Sequence, residues 1–283
     1  MHVVLGAAGN VGSKVVAALR RRNAPVLAVV HSAKKAETLA EPGVETAVAD
    51  VQDVKALRAV LKRGRRAFLL NPPADPSSDT SAFELRTARA IADAVSGSDL
   101  EKVVVASTYG ARAQEGVGDF SSLYAFERWV EEAAIPTAIN RGAYYFTNLD
   151  MLAPAAEQGS LPTLFPADFA LPMVSPTDLG ELGAERLLGD TGDVGIAYLE
   201  GPKRYSFSDV ARAFSTKLGR RVEVDTVPRE GWEDYFLKAG FSKAAAASYA
   251  RMTAATIDDE VSPGDPRRGV VSLEVHIQAL GST

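Results

Sequence analysis

The chain has 283 residues, of which 46% are hydrophobic and 24% charged, with a formal net charge of −5; this is the balance of a globular protein with one large or two unequal domains, and the acidic charge argues against a nucleic-acid partner. No apolar run reaches the roughly 18 residues of a membrane span, and the first strand begins at His2, too early for a signal peptide, so a cytoplasmic protein without a membrane partner is expected. The absence of cysteine excludes disulfides and thiolate chemistry, and three widely separated histidines predict no metal site.

Apolar runs and helical patterns alternate through the first half of the chain. HVVL, PVLAVV, VETAV, RAFLL, KVVVAS and PTAIN predict six strands, and the patterns between them predict helices. Ser32 is placed to cap the second helix, and Ser81-x-x-Glu84 predicts a capping box for the fourth, which runs to about Val95. Because the strands are apolar throughout, we expect a parallel sheet covered on both faces, in a doubly wound α/β fold of Rossmann type.

The rhythm changes after about Arg141. A proline-rich stretch that begins at Gly159 is predicted to be mostly loop, and Ser175-Pro176 predicts the start of a helix. The end of the chain, which contains SPGDPRRG, predicts a surface turn and a short closing helix. Between them, the sequence predicts a strand near GIAYLEG, a helix at SDVARAFSTKLG, a strand at RVEVDTV and helices near Trp232 to Ala239 and Lys243 to Ala255.

A glycine-rich turn joins the first strand to the first helix. Gly6, Gly9 and Gly12 spell G-x-x-G-x-x-G. In dinucleotide-binding folds the first glycine permits a tight turn, the second lets the backbone approach a pyrophosphate, and the third lets the helix pack near the strand. The helix N-terminus then offers N–H groups and partial positive charge to the phosphates. A turn without a ligand is the alternative; the nucleotide interpretation predicts contacts from Gly6, Ala8, Gly9, Asn10, Val11 and Gly12.

The end of the second strand indicates which nucleotide is held. NAD-binding proteins usually place a carboxylate there for the ribose 2′-hydroxyl. This chain has His31 and Ser32 instead, followed by Lys34 and Lys35. Positive charge attracts a 2′-phosphate, so His31 and Lys35 favour NADP(H) as the cofactor, whereas NAD(H) stays open if the lysines are ordinary helix surface.

Two further loops follow predicted strands. Asp50 and Val51, after the third strand, are placed to contact the adenine edge, or else Asp50 caps a helix. Asn71, Pro72 and Pro73, after the fourth strand, line the cleft at the carboxyl end of the sheet, where open α/β sheets bind ligands. The expected organisation is an NAD(P)-binding domain over residues 1–150 and a smaller substrate-binding region over residues 151–283, interleaved with it.

Together these motifs resemble the NmrA-like family of atypical short-chain dehydrogenases/reductases, which includes quinone reductases and azoreductase-like members that use NAD(P)H. The resemblance covers about residues 1–228, in the stretches GAAGNVGSKV, FLLNPP, VVVASTYGA, ERWVEEAAIPTAINRGAYYFTNL, VSPTDLGELGAERLL and YSFSDVARAFSTKLGRRVEV. It implies an extended Rossmann fold, NADP(H) in the cleft and a C-terminal region that closes over the substrate.

The resemblance also implies roles for single residues. His31 stands where relatives often have an arginine for the 2′-phosphate. Asn71 and Pro72 correspond to the loop near the nicotinamide ribose, and Ser107 and Thr108 to the strand end beside the nicotinamide. Asn148 corresponds to the wall of the substrate pocket.

The Tyr-x-x-x-Lys pair that classical short-chain dehydrogenases use for proton transfer is absent. The nearest arrangement is Tyr124 with Arg128, one helical turn apart. Arg128 stays cationic and cannot relay a proton, but it can stabilise a phenolate or bind a ribose hydroxyl, and Glu127 is an alternative ribose ligand. We therefore predict Tyr124, Ser107 and Arg128 as catalytic residues; in the alternative, Tyr124 packs and Arg128 pairs with a carboxylate such as Glu132.

The function expected from these features is hydride transfer from NADPH to a quinone-like or aromatic carbonyl small molecule. The alternative is a non-catalytic NAD(P)-binding redox sensor of the NmrA type, suggested by the missing tyrosine–lysine pair. Isomerase or epimerase chemistry is a third alternative. The oligomeric state, monomer or homodimer, stays open. A flat pocket for an aromatic substrate is predicted from Tyr109, Tyr144, Tyr145, Phe146 and Asn148.

Overall fold

The computed structural model describes residues 1–259, 261 and 263–281. Its first half alternates strands and helices as the sequence predicts. The elements are β1 (His2–Val4), α1 (Gly12–Arg21), β2 (Val26–Val30), α2 (Ala33–Leu39), β3 (Val44–Val48), α3 (Val54–Leu61), β4 (Arg66–Leu69), α4 (Thr80–Val95), β5 (Lys102–Thr108), α5 (Asp119–Glu131) and β6 (Thr137–Gly142).

The second half is more varied and adds strands to the same sheet. It comprises β7 (Tyr144–Tyr145), a 3₁₀ helix (Phe146–Leu152), α6 (Ala153–Ala156), β8 (Ser160–Thr163), β9 (Met173–Val174), α7 (Pro176–Leu188), β10 (Gly195–Glu200), α8 (Phe207–Leu218), β11 (Glu223–Thr226), a 3₁₀ helix (Arg229–Gly231), α9 (Trp232–Lys238), α10 (Lys243–Asp258), β12 (Arg267–Arg268) and α11 (Leu273–Ala279).

Eight of the described strands form one parallel sheet in the order β12-β10-β6-β5-β4-β1-β2-β3. Since side chains alternate between the two faces of a strand, neighbouring valines of β5 enter different cores. Val104 packs with Val15 and Leu182, on the face covered by α1 and α7. Val103 and Val105 pack on the opposite face, under α3, α4 and α5. This is the doubly wound Rossmann-type architecture that the apolar strands predict.

The C-terminal region is continuous with the sheet and also has its own core. β10 pairs with β6, and β12 pairs with β10. Two short parallel pairs, β7 with β9 and β8 with β11, lie beside a third core that includes Phe146, Tyr205 and Phe214. Among the described residues, no helix has both the length and the apolar character needed to cross a membrane.

Several predicted details are confirmed and two are wrong. Ser32 caps α2 and Ser175 caps α7, with Pro176 in the first turn. The capping box at Ser81 is wrong, because Asp79 caps α4 and accepts a hydrogen bond from Ala82 N at 3.0 Å. The predicted turn near the chain end contains a strand instead, β12; Ser262 in that stretch lies outside the described residues.

Candidate functional site

Because the strands of the main sheet are parallel, the loops after β1, β2, β3, β4, β5 and β6 meet at one edge. The predicted cofactor residues lie at the carboxyl ends of these strands or just after them, so the fold brings them to the same side of the sheet. This edge is the candidate site.

The glycine turn after β1 has the geometry that a phosphate loop requires. Gly6 has a φ of +64°, a conformation that side chains disfavour, and its carbonyl accepts a hydrogen bond from Gly9 N at 2.8 Å. A Cβ at Gly12 would lie 2.2 Å from Gly6 O, so only glycine fits where α1 begins. Gly9 and Asn10 are exposed, Ala8 is half-buried and Val11 is buried.

The N-terminus of α1 is open to an anion. Val11 occupies the cap position without a side-chain hydrogen bond, and the first turn holds no acidic residue. The N–H groups of Asn10, Val11 and Gly12 donate to no group among the described residues. Unpaired N–H groups together with the helix dipole form an anion-binding position.

Exposed cations follow β2. His31, Lys34 and Lys35 are all exposed, and Ser32 between them accepts a hydrogen bond from Lys35 N at 3.4 Å. Neither lysine forms an ion pair with another residue that the structure describes. Both ammonium groups therefore remain available to a ligand near the start of α2.

The loop after β3 places Asp50 at the surface. Its carboxylate accepts from Gln52 N at 2.9 Å, and the cap of α3 is Asp53, which accepts from Ala56 N at 3.0 Å. The capping alternative for Asp50 is therefore wrong. Val51 beside it is half-buried.

The loop after β4 connects to a buried glutamate that the sequence interpretation assigned to a cap. Asn71 is buried and donates from Nδ2 to Glu84 O at 3.1 Å, while Pro72 is half-buried and Pro73 exposed. The Glu84 carboxylate accepts from Ala74 N at 3.2 Å and from Ser122 Oγ at 2.9 Å. Burial, and next the nearby Asp119, raise the pKa of Glu84 to about 7.

At the end of β5, Ser107 belongs to a buried ionic network. Its Oγ donates to Glu127 Oε1 at 2.5 Å, and Arg141 holds both oxygens of that carboxylate, at 2.9 and 2.6 Å. Arg141 also donates to the Tyr198 hydroxyl at 2.9 Å. Glu127 is fully buried, so it is not placed to bind a ribose, and the network instead fixes the strand end next to Thr108.

Tyr124 and Arg128 are neighbours on α5, but they contact each other through the ring. The Arg128 guanidinium carbon lies 5.6 Å from the Tyr124 ring centroid, and the guanidinium pairs with Glu131 at 2.7 Å rather than with Glu132. Among the described residues, no hydrogen bond joins Arg128 to the Tyr124 hydroxyl. Tyr124 is half-buried and Arg128 exposed.

The predicted aromatic pocket divides into two groups. Tyr109 is buried, donates to Glu200 and packs edge-on against Tyr198, while Phe146 is fully buried against Tyr205. These two side chains are buried in the core and do not line the surface of the cleft.

Tyr144 and Tyr145 are half-buried, and burial raises the pKa of each to about 12. Exposed Asn148 lies near Tyr144 and acts to lower its pKa, against the larger effect of burial. These three residues remain the candidates for contact with a substrate.

The structure adds residues that the sequence interpretation missed. Asp119 begins α5 and lies beside Glu84, and Tyr249 of α10 lies within electrostatic reach of both carboxyls. Ser248 anchors α10 at this edge by accepting from Gly118 N at 2.9 Å. Only Glu84 could have been recognised from the sequence, as a glutamate on the buried face of a predicted helix. No local sequence pattern indicates that α10 lies near α4 and α5.

Comparison with known proteins agrees with this architecture. Two solved structures superimpose on nearly the whole chain and establish the fold. The triphenylmethane reductase of Citrobacter sp., complexed with NADP(H), matches with a TM-score of 0.82 and 20% identity over 99% of this chain and 100% of that one. An NADPH-dependent quinone oxidoreductase from Escherichia coli matches with a TM-score of 0.80 and 18% identity, over 99% of each chain.

A curated relative is closer in sequence. The NAD(P)H azoreductase of Xenophilus azovorans is 27% identical over 237 residues, which cover 81% of this chain and 78% of the relative. The model of the NmrA-like family matches residues 2–271, almost the full length. The chain belongs to the NmrA-like family.

Proposed function

We propose that this protein is an NAD(P)H-dependent reductase that transfers hydride to a small aromatic acceptor. The observation that carries the proposal is the glycine turn, where α1 presents its open N-terminus and Gly12 approaches Gly6 too closely for any side chain. The names of the relatives support it, since all three are reductases or oxidoreductases, one is named for NAD(P)H, one is named for NADPH, and the third was solved in complex with NADP(H).

The residues at the sheet edge fit a dinucleotide. The N–H groups of Asn10, Val11 and Gly12 would hold the pyrophosphate. The first turn of α1 contains no acidic residue that would compete with it for these groups. His31 and Lys35 would face a 2′-phosphate, which favours NADP(H) over NAD(H). Asp50 and Val51 would contact the adenine edge.

At the other end of the cleft, Asn71, Pro72, Ser107 and Thr108 would flank the nicotinamide. When bound, the nicotinamide supplies a hydride. The protein's contribution is orientation, because the buried Glu127–Arg141 pair fixes Ser107 and the end of β5.

The side chains at the open side of the cleft indicate the class of acceptor. Tyr144 and Tyr145 present half-buried rings, and Asn148 adds an exposed amide. Such a surface suits a flat aromatic molecule that carries a quinone, carbonyl or azo group, which is the chemistry named for the quinone oxidoreductase and the azoreductase.

NADPH oxidation with a panel of quinones and azo compounds tests the proposal. We expect turnover with at least one acceptor and tighter binding of NADPH than of NADH. Tight cofactor binding without turnover of any acceptor would contradict the enzyme and would favour the redox-sensor alternative, as would equal affinity for the oxidised and reduced cofactor.

A further inference from the structure

Two carboxyl groups share a buried position between α4 and α5. Glu84 is 3% exposed and lies beside Asp119, the first residue of α5, because Ser122 Oγ is 2.9 Å from Glu84 Oε2 and 3.5 Å from Asp119 O. Two neighbouring buried carboxyls without a counter-ion do not both ionise, because desolvation and like-charge repulsion disfavour a second charge. The pair therefore holds one proton between its members.

The surroundings of the pair favour retention of this proton. The groups that face it are the Ala74 N–H, the Ser122 hydroxyl, and the phenols of Tyr145 from β7 and Tyr249 from α10. No lysine or arginine of the described chain forms an ion pair with either carboxyl. Burial raises the pKa of both groups, that of Glu84 to about 7, so the proton is held under neutral conditions and can also be released there.

A second observation indicates that this position receives a polar group. Asn71 Oδ1, Thr80 Oγ1 and Asp119 Oδ1 are buried and have no hydrogen-bond partner among the described residues. Asn71 and Thr80 are 9% and 1% exposed. Thr80 lies one turn before Glu84 on the buried face of α4, and the Asn71 amide contacts the Glu84 carbonyl. Buried polar atoms without partners are unfavourable by about 1–3 kcal/mol each, so three of them around one pair point to a bound polar group.

The pair also lies at the proposed nicotinamide end of the cleft. Asn71 and Ala74 belong to the loop after β4, and Asp119 acts electrostatically on Tyr145, one of the proposed substrate contacts. Tyr249 of α10 lies within electrostatic reach of both carboxyls.

We propose that Glu84 and Asp119 act together as the proton donor of the reductase, with Asp119 Oδ1 as the atom that faces the acceptor. This inference rests on the proposed function. After hydride reaches the carbonyl carbon or one azo nitrogen, negative charge develops on the oxygen or the second nitrogen. The shared proton moves to that atom, where an O–H or N–H bond forms as the carboxyl O–H bond breaks. The pair then regains a proton from solvent.

Two classes of acceptor distinguish the effect of proton donation from the effect of hydride transfer. A neutral azo compound needs hydride and a proton, whereas a cationic triarylmethyl dye becomes a neutral product by gaining hydride alone. In the wild-type protein we expect kcat for the azo compound to be highest below about pH 7 and to fall as the pH rises through that value, because the protonated pair is the active form. The rate with the cationic dye should lack this dependence.

Glu84→Gln and Asp119→Asn keep the shape of the pair but remove its shared carboxyl proton. We expect each to lower kcat for the azo compound by roughly 10²–10⁴-fold, the usual contribution of a general acid, and to abolish the decline near neutral pH. The rate with the cationic dye should be unchanged. Asp178→Asn is the matched control, since Asp178 is also buried but lies on α7, on the opposite face of the sheet.

Infrared titration gives a readout that does not depend on activity. The wild-type protein should show the carbonyl stretch of a protonated carboxylic acid, which disappears as the pH rises through about 7, and this transition near pH 7 should be absent in Glu84→Gln. If both acceptors are turned over and the two variants keep the wild-type pH profile, the proton-donor role is wrong. If the wild-type protein binds NADPH but reduces neither acceptor, the proposed function itself is wrong. Should one variant fail to fold, the wild-type titration and the other variant still decide the question.

Discussion

At the scale of single residues, buried charges at the sheet edge are the most informative feature. Glu127 is fully buried and depends on Arg141 for both of its oxygens, while the pair of Arg128 with Glu131 lies on the surface of the same helix. A buried ion that loses its partner is strongly destabilising, whereas an exposed pair contributes little. The two arginines are close in sequence and differ mainly in this respect.

Replacing Arg141 therefore has a large expected effect on stability. We predict that Arg141→Met lowers the free energy of unfolding by about 3–5 kcal/mol, because Glu127 is left buried without a counter-ion. Arg128→Met is the control and should cost less than about 1 kcal/mol. Urea unfolding of both variants measures the difference. Equal midpoints for the two variants would mean that the buried network contributes no more than the surface pair.

Charge at the start of α2 governs the predicted cofactor preference. Lys35→Glu should weaken NADPH binding by roughly tenfold, or about 1.4 kcal/mol, because a carboxylate repels the 2′-phosphate, and should leave NADH binding unchanged. Lys238→Glu, an exposed position at the end of α9, is the control. Fluorescence titration with each cofactor gives the affinities. A parallel loss for NADPH and NADH would assign the effect to general charge and not to the 2′-phosphate.

At the scale of elements, local sequence patterns predicted the strands of the Rossmann half and the glycine turn, because apolar runs, caps and glycines act over a few residues. The buried pair was not predicted, since Ser81-x-x-Glu84 imitates a capping box and its glutamate was assigned to the helix end. Asp119 and Tyr249 reach the same position from α5 and α10. Local sequence patterns do not predict such contacts between distant segments of the chain.

The turn between β1 and α1 is the element on which cofactor binding should depend most. We predict that Gly12→Ala abolishes NADPH binding, because its Cβ would lie 2.2 Å from Gly6 O and would force the turn open. Gly97→Ala is the control: Gly97 has a φ of +74° and open space around it, so only a backbone cost of roughly 1–2 kcal/mol is expected. Calorimetric titration and thermal unfolding separate the two effects. Retained affinity in folded Gly12→Ala would contradict the phosphate-loop assignment.

At the scale of the whole molecule, the two proposed regions, residues 1–150 and 151–283, share one sheet. Helix α7 belongs to the second region, yet Leu179, Leu182 and Leu187 are buried on the face of the sheet that it shares with α1. β10 and β12 extend the sheet beyond β6. On this face of the sheet, the helices of the first region therefore provide only part of the covering layer.

From this we predict that a fragment of residues 1–150 does not fold cooperatively. Without α7, the apolar residues Val104 and Ala138 would face water, and the β6 edge would lose its neighbour β10. Circular dichroism and urea unfolding of the fragment check this expectation, with the full chain as reference. A sharp transition in the isolated fragment would show that the first region is an independent domain.

The position of β12 also bears on how the molecule is made. β10 is complete at Glu200, but the strand that covers its free edge starts at Arg267. At translation rates of roughly 5–20 residues per second, the ribosome needs several seconds to deliver that partner. During this interval the nascent chain exposes an unpaired strand edge at Leu199 and Glu200, the two residues that β12 later pairs with, and such edges recruit other chains. Chaperone demand during biosynthesis should therefore be greatest while the segment between these two strands is being synthesised.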